Sequence, residues 1–248
     1  MNMYEFQIGG TTASALPSGA LWWGEGSVLV VSDMHLGKSD RVARRSGSLL
    51  PPYETKSTLE RLRSDLDSTR ADCVISLGDG FDDDLATASL SEECFDMLQS
   101  LINGRDWVWI SGNHDPTPVK LGGTCAPEQE REPFLFRHIA QEDHAGTSIE
   151  VSGHFHPKVK LSTRAGKISR PAFLWDKHRL MLPAYGAYTG GLSVTNPAIR
   201  NFFSDDAGAI LTGTTPVAIP AYARVVTSAA SRPWRGNPRP RRAGGSSG

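Results

Sequence analysis

Residues 28–38 read VLVVSDMHLGK, and this stretch decides the fold class. Its first four residues are apolar and mostly β-branched, which predicts a short buried strand. Asp33 and His35 follow directly after that strand, and a carboxylate and an imidazole are both side chains that bind metals. The stretch therefore predicts a central strand whose carboxyl end carries part of a functional site.

Two further apolar stretches repeat this arrangement. Residues 73–77 are followed by Gly78-Asp79, and residues 107–110 are followed by SGNHD at 111–115. Both stretches have the length and composition of buried strands. We therefore expect three parallel strands that each end in polar side chains at the same edge of a sheet.

Helical patterns lie between these strands. Leu59, Leu62 and Leu66 are three and four residues apart, and residues 89–92 match a capping box that predicts the start of a second helix. Strands that alternate with helices predict an α/β fold with a mostly parallel sheet. Later apolar stretches predict antiparallel strands in the same domain, at 171–176, 178–182, 209–212 and 217–226.

The composition excludes several classes of protein. The chain has 248 residues with 26 Lys+Arg against 27 Asp+Glu, so its formal net charge of −1 excludes broad electrostatic coating of nucleic acid. Residues 232–248 hold five arginines and no acid, so this stretch carries +5 and the rest −6. We expect a single domain over 1–231 followed by a disordered basic tail rich in Pro, Gly and Ser. Three scattered cysteines and no long apolar stretch predict a cytoplasmic protein without a membrane segment.

Histidines complete the pattern. The apolar residues 134–136 are followed by His138, and residues 149–151 are followed by GHFH at 153–156. Because ligands bind at the carboxyl ends of strands in open α/β sheets, all these side chains should meet in one crevice. Each motif alone is also common in surface turns, but their order after successive strands favours a functional site.

Oxygen and imidazole donors are the ligands expected for a pair of divalent ions such as manganese, iron or zinc, rather than for a metal cluster bound by thiolates. Two such ions can clamp a phosphoryl group and activate a hydroxide for in-line attack. His138 is favoured over His144 as a donor, because His138 ends an apolar stretch whereas His144 follows the polar residues at 141–143.

This order of motifs resembles the calcineurin-like metallophosphoesterase superfamily. The resemblance implies an α/β fold built as a layered α/β/β/α sandwich with mixed sheets. It also implies two divalent metal ions, with manganese favoured over iron and zinc. The implied ligands are Asp33, His35, Asp79 and His156 at the first site and Asp79, Asn113, His138 and His154 at the second, with Asp79 as the bridge.

His114 matches the catalytic histidine of the superfamily, which acts at the scissile phosphate and does not bind metal. As a cation or hydrogen-bond donor it would stabilise developing charge or protonate the leaving oxygen. We expect Asp115 to orient its ring. Asp79 and Asp82 together match the Gly-Asp-x-x-Asp pattern of the superfamily.

Several segments are also similar to the ligase-associated DNA damage response endonucleases of the PdeM type. The similarity covers about residues 20–225 and is carried by residues 33–38, 44–47, 51–52, 153–157, 170–173 and 182–192. It implies a phosphodiesterase that cuts DNA internally during repair. It also implies a functional association with an ATP-dependent DNA ligase and a helicase.

Side chains beside the motifs are candidates for substrate binding. Lys38, Arg44 and Arg45 follow the first motif and would attract a nucleic-acid backbone, although a solvated helix face explains them equally well. Tyr185 is a candidate for stacking on a base, as is Tyr188, and we expect at least one of the two to pack in the core instead.

Three functions are consistent with the sequence. A metal-dependent phosphodiesterase acting on DNA is favoured, because the ligand set and the Asn113-His114 pair are complete. A phosphomonoesterase or small-nucleotide hydrolase would use the same motifs. A noncatalytic scaffold that keeps the fold is the third alternative.

Overall fold

The computed structural model describes residues 2–47, 53–83, 85–115, 121–144, 146–163 and 166–222. The basic tail at 232–248 lies outside these residues, so the tail and the single domain over 1–231 stay predictions. Within the described ranges, no helix is both long enough and apolar enough to cross a membrane.

A seven-stranded sheet carries the first half of the chain. The order of the strands in this sheet is the same as their order in the sequence. They are β1 (Tyr4–Ile8), β2 (Thr11–Ala15), β3 (Leu21–Trp23), β4 (Val28–Val31), β5 (Cys73–Ser76), β6 (Asp106–Ile110) and β7 (Thr124–Ala126). The pairs from β1 to β4 are antiparallel, whereas those from β4 to β7 are parallel. The three parallel strands predicted from the sequence are therefore confirmed as β4, β5 and β6.

The second half forms another mixed sheet. Its strands are β8 (Glu128–Arg131), β9 (Phe134–Arg137), β10 (Ile149–Ser152), β11 (Lys158–Thr163), β12 (Gly166–Trp175), β13 (Arg179–Met181), β14 (Gly208–Leu211) and β15 (Val217–Pro220). The order is β15-β14-β12-β13-β10-β9-β8, and β11 pairs with β12. Among the described strands of this second sheet, only β9, β10 and β13 pair in parallel. The expected antiparallel strands appear as β12 to β15, although β13 also pairs in parallel with β10. Residues 223–226 of the last predicted strand lie outside the described residues.

The polar segment 121–132, which carries no recognisable motif, links the two sheets. Strand β7 pairs in parallel with β6 of the first sheet, and β8 pairs antiparallel with β9 of the second. The chain therefore passes directly from the edge of one sheet to the edge of the other.

Five helices are described: α1 (Lys38–Ser46), α2 (Glu54–Thr69), α3 (Ala86–Ser89), α4 (Glu92–Ile102) and α5 (Pro197–Arg200). The predicted capping box at 89–92 is wrong, because Ser89 ends α3. The N-cap of α4 is Ser91, whose hydroxyl accepts a hydrogen bond from the Cys94 amide at 3.3 Å. The cap lies two residues later than predicted because a short helix occupies the expected start.

Successive side chains of a strand point to opposite faces of its sheet, and the apolar side chains on these faces form three separate cores. Val28 and Val30 of β4 face the second sheet, where they join Phe134 and Phe136 of β9 in one core. Leu29 points the opposite way, toward a core formed with the helix residues Leu59, Leu62, Leu66, Leu98 and Leu101. A third core covers the outer face of the second sheet and includes Ile199 of α5. The predicted α/β/β/α arrangement of mixed sheets is confirmed.

Candidate active site

The functional side chains lie where parallel strands of both sheets end. Strand β4 is followed by Asp33 and His35, strand β5 by Asp79, and strand β6 by Asn113 and His114. In the second sheet, β9 is followed by His138, and β10 by His154 and His156. Potential ligand atoms fall into three overlapping groups, with the atoms of each group within 4.8 Å of one another. The groups are Asp33, His35 and His156; His35, Asp79 and His114; and Asp79, His138 and His154.

The backbone at this edge is strained. Eight described residues other than glycine have positive φ angles, and five of them are predicted metal ligands: Asp33 (52°), His35 (46°), Asp79 (46°), His154 (66°) and His156 (48°). Such conformations cost free energy in L-residues and persist where surrounding structure enforces them. Here they turn successive side chains of each motif toward one point.

Two glycines are required by the close packing of this edge. A β-carbon at Gly112 would overlap the amide nitrogen and a carboxylate oxygen of Asp79. A β-carbon at Gly153 would overlap the Ser32 hydroxyl. The glycines in the sequence motifs therefore let the strand ends approach one another.

The first donor group centres on Asp33, which is fully buried. Its Oδ1 lies 3.1 Å from Nε2 of His156, and both atoms are buried without a hydrogen-bond partner among the described residues. Its Oδ2 accepts hydrogen bonds from the His154 amide at 3.0 Å and from the Ser32 hydroxyl. Burial raises the pKa of Asp33, but His156, His138 and Ser32 more than offset this and hold it below its usual value. Asp33 is therefore an anion with one oxygen left for a cation.

Asp79 belongs to two of the three donor groups, the one with His35 and His114 and the one with His138 and His154. Its Oδ2 is 3.9 Å from Nε2 of His35, whereas its Oδ1 is 3.5 Å from Nε2 of His138. The amide of His114 donates a hydrogen bond to Oδ1 at 2.8 Å. Each oxygen of this carboxylate therefore faces a different group of histidines.

The third donor group, which consists of Asp79, His138 and His154, is held by His138. Its Nδ1 donates to the Leu77 carbonyl at 2.7 Å, which leaves the lone pair on Nε2. That Nε2 lies 2.9 Å from Oδ1 of Asn113 and 3.2 Å from Nδ1 of His154. Burial lowers the pKa of His154, which favours the neutral ring that a metal needs. His144 instead contacts the Ser148 carbonyl at 2.8 Å, so the structure brings His138 to the other donors.

His114 is oriented by a backbone carbonyl. Its Nδ1 lies 2.9 Å from the carbonyl oxygen of Asp82, which accepts the ring hydrogen and turns Nε2 toward the donor groups. The expectation that Asp115 orients this ring is wrong. Oδ2 of Asp115 accepts a hydrogen bond from the Phe81 amide at 3.0 Å, and burial raises the pKa of Asp115 to about 6. Asp115 therefore holds the loop after β5 rather than the His114 ring.

Asp82 is a functional residue to which the sequence motifs assigned no role. It is fully buried, and its Oδ1 lies 2.8 Å from Nδ1 of His35 while its Oδ2 accepts from Arg41 at 2.8 Å. Burial alone would raise the pKa of Asp82, but His35 and Arg41 hold it below its usual value. The carboxylate directs Nε2 of His35 toward Asp79. The Gly-Asp-x-x-Asp spacing was the signal that marked it.

A model of the calcineurin-like phosphoesterase family matches residues 26–193, which is more than half of the chain. The chain belongs to this family. It is therefore a hydrolytic enzyme that acts on phosphoesters, and its donor clusters fit the divalent metals that this family uses.

Two solved structures of enzymes align with this chain. Nuclease MPE from Pseudomonas putida aligns with a TM-score of 0.68 and 24% identity over 87% of this chain and 100% of that one. The phosphoesterase Yfce from E. coli aligns with a TM-score of 0.38 and 13% identity over 78% of this chain and 98% of that one. Among curated proteins, none matches. The similarity to the Pseudomonas protein supports the calcineurin-like fold.

Two of the three cations predicted to bind substrate in this phosphoesterase have carboxylate partners. The guanidinium of Arg44 donates to both oxygens of Asp83, at 2.7 and 2.9 Å. The ammonium of Lys38 lies 3.9 Å from Asp82. Arg45 is exposed at the end of α1. Pairing therefore reduces the charge that this side of the phosphoesterase offers to a phosphate backbone.

The prediction that Tyr185 stacks on a substrate base is wrong. Its side chain is fully buried, and its hydroxyl donates to Asp65 at 2.8 Å. The guanidinium of Arg61 covers its ring at 4.6 Å from the centroid. Burial raises the pKa of Tyr185 well above its usual value, so the hydroxyl stays protonated. Tyr188, by contrast, is 52% exposed.

Proposed function

We propose that this calcineurin-like phosphoesterase is a dinuclear-metal phosphodiesterase. The observation that carries the proposal is the position of Asp79, whose two oxygens face two different groups of histidines. A carboxylate placed in this way can bridge two ions. The proposed ligands are Asp33, His35, Asp79 and His156 for one ion and Asp79, Asn113, His138 and His154 for the other.

The donor chemistry fits such ions. Oδ1 of Asp33 and Nε2 of His156 are buried, lie 3.1 Å apart and lack a hydrogen bond among the described residues, as expected of two ligands of one cation. Carboxylate, imidazole and amide oxygen suit divalent ions such as manganese, iron or zinc, and the family resemblance favours manganese among them. Bound there, two divalent ions would supply positive charge to the phosphate and lower the pKa of a water nucleophile.

His114 is the proposed catalytic side chain. With the hydrogen of Nδ1 held by the Asp82 carbonyl, Nε2 is free to act beside the donor groups. A protonated Nε2 would donate a hydrogen bond to a phosphate oxygen as charge develops, or give its proton to the leaving oxygen. Both roles need the orientation that the Asp82 carbonyl imposes.

We propose DNA as the substrate. Two observations support this choice: the motif similarity to ligase-associated repair endonucleases, and a fold shared with a Pseudomonas putida protein that is named a nuclease. Internal cleavage, and action in the cytoplasm beside an ATP-dependent DNA ligase and a helicase, belong to the same proposal. The basic tail at 232–248 is expected to be inert in the chemical step.

Two chromogenic substrates separate the proposal from its alternatives. With manganese supplied, the enzyme should hydrolyse bis(p-nitrophenyl) phosphate, and EDTA should abolish this activity. Hydrolysis of p-nitrophenyl phosphate alone would identify a phosphomonoesterase instead. No hydrolysis with manganese, iron or zinc, together with an effect of His114→Ala on partner binding only, would identify a scaffold.

The nature of the nucleic acid needs a second assay. Closed circular and linear DNA, single strands, duplexes and RNA of the same sequence should be compared at one manganese concentration. Cleavage of circular single-stranded or duplex DNA would support an endonuclease. Cleavage that requires a free end, or that occurs on RNA only, would contradict the proposed substrate.

A further inference from the structure

A polar cavity lies beside the donor groups and has no role in the chemistry described above. Its volume is about 280 Å³, close to the lower limit of small-ligand pockets. The residues that matter for its chemistry are Ser18, Arg61, Arg170, Tyr188, Thr189 and Thr212. They come from separate parts of the chain, so folding alone assembles the cavity.

The wall of this cavity is bonded to the proposed first metal site. The amide of Gly186, which lines the cavity, donates to the Asp33 carbonyl at 3.1 Å. Further along the same segment, the amide of Leu192 donates to the carbonyl of Phe155, the neighbour of His156, at 3.2 Å. Residues 186–192 therefore run from one proposed ligand to another, with Tyr188 and Thr189 between them.

The charge of the cavity favours an anion. The described residues that line it include two arginines and several hydroxyl groups but no carboxylate. Arg61 is fixed against the ring and carbonyl of Tyr185, and its Nε is buried without a hydrogen bond among the described residues. Arg170 is exposed and, within the described part of the chain, is in no ion pair. Arg61 also interacts electrostatically with the buried carboxylate of Asp65, whereas Arg170 has no carboxylate partner among the described residues. Arg170 therefore differs from Arg44, whose charge is satisfied by Asp83.

Tyr188 adds an aromatic surface at the rim. Its side chain is 52% exposed although its backbone adopts a strained positive φ of 59°. An exposed aromatic ring beside an arginine without a carboxylate partner is the combination that binds an unstacked base together with its phosphate. A base within a duplex is already stacked and presents no free face to such a ring.

We propose that this cavity is a second subsite for single-stranded nucleic acid, which holds a backbone phosphate next to the one cleaved. Arg170 contacts that phosphate, and Tyr188 stacks on the adjoining base. The proposal rests on the proposed phosphodiesterase function for its connection to catalysis. Binding at the cavity itself can be measured without turnover.

Arg170→Gln tests the phosphate contact, because this side chain is exposed and its loss leaves the cavity wall intact. Arg63→Gln is the matched control, since Arg63 is exposed on α2 and does not line the cavity. Binding of a fluorescent single-stranded oligonucleotide is measured by anisotropy in the His114→Ala background with manganese. Arg170→Gln should weaken binding about tenfold and lower the slope of log K against log[salt] by about 1, whereas Arg63→Gln should change neither.

Tyr188→Ala tests the stacking contact, with Tyr188→Phe as the conservative variant. Loss of the ring should weaken single-strand binding about tenfold, and phenylalanine should restore it. A duplex of the same sequence should bind more weakly and respond less to either change. Equal binding of duplex and single strand, unaffected by Tyr188→Ala, would overturn the stacking role.

Kinetics separate this subsite from the proposed function. Bis(p-nitrophenyl) phosphate has no second phosphate for Arg170 to bind, so Arg170→Gln should leave its kcat and KM unchanged while it raises KM for the oligonucleotide about tenfold. If wild-type enzyme hydrolyses no diester but Arg170→Gln still weakens oligonucleotide binding, the proposed function fails and the subsite stands. If diesters are hydrolysed and Arg170→Gln behaves like Arg63→Gln throughout, the subsite is wrong.

Discussion

The donor edge, formed by the proposed metal ligands, and the basic side of α1 were both expected to meet the substrate, yet they are built differently. At the donor edge, backbone strain and buried hydrogen bonds hold each side chain, as His138 is held by the Leu77 carbonyl. On α1, by contrast, the long side chain of Arg44 forms an ion pair near the surface with Asp83, which lies in the loop after β5. Substitutions at the donor edge should therefore have large effects, and those on α1 small ones.

The largest effect is expected for Asp79→Asn. The substitution removes the negative charge that faces both histidine groups, so binding of both metal ions should weaken and diester hydrolysis should fall about 10³-fold or more. Turnover of bis(p-nitrophenyl) phosphate over a range of manganese concentrations measures both changes. Asp83→Asn is the control, because Asp83 pairs with Arg44 outside the donor groups. Wild-type turnover by Asp79→Asn would contradict the bridging role.

His114→Ala should have the next largest effect. Since His114 is proposed to act on the phosphate and not to bind metal, turnover should fall about 10²-fold while manganese content stays the same. His144→Ala removes a histidine of the loop at 141–144 and should change neither quantity. Loss of one manganese ion in His114→Ala would make this residue a ligand instead.

A smaller effect is expected for Asp82→Asn. The variant keeps the shape of the side chain but removes the charge that directs His35 and pairs with Arg41. Manganese affinity, measured by titration calorimetry, should fall about 10- to 100-fold, as for other groups that orient metal-bound histidines. An unchanged affinity would mean that His35 holds its orientation without Asp82.

Arg44→Gln should have the smallest effect. Its guanidinium is already paired with Asp83 near the surface, so the oligonucleotide KM should change less than about twofold and stability by less than about 1 kcal/mol. Arg45→Gln provides the comparison, since Arg45 is exposed on the same helix. A rise of tenfold or more in KM for Arg44→Gln would show that α1 binds the substrate after all.

Local sequence patterns were enough to predict the three parallel strands β4, β5 and β6 and to select the candidate donor residues that follow them. The apolar, β-branched composition of residues 28–31 is sufficient to predict a buried strand. Because this strand is parallel to its neighbour, the polar residues that follow the two strands lie at the same edge of the sheet. His138 could be separated from His144 for the same reason, because only His138 follows an apolar strand. The convergence of residues far apart in sequence followed from the fold class.

Predictions that depended on distant partners failed. Tyr185 and Tyr188 are three residues apart in one loop, and nothing in that loop shows that Asp65 and Arg61 of α2 bury the first and leave the second exposed. Asp115 was expected to orient the His114 ring, but its carboxylate accepts a hydrogen bond from the Phe81 amide instead. Partners of this kind are decided by tertiary packing.

The most direct test of the account is the number of metal ions bound by the wild-type chain. Purified protein is stripped of metal, titrated with manganese and analysed for bound metal after removal of the free ion. We predict two ions per chain and diester hydrolysis that appears only as the second ion binds, with both ions weakened in Asp79→Asn. Full activity with one ion per chain, or two tightly bound ions in Asp79→Asn, would contradict the two-metal site bridged by Asp79.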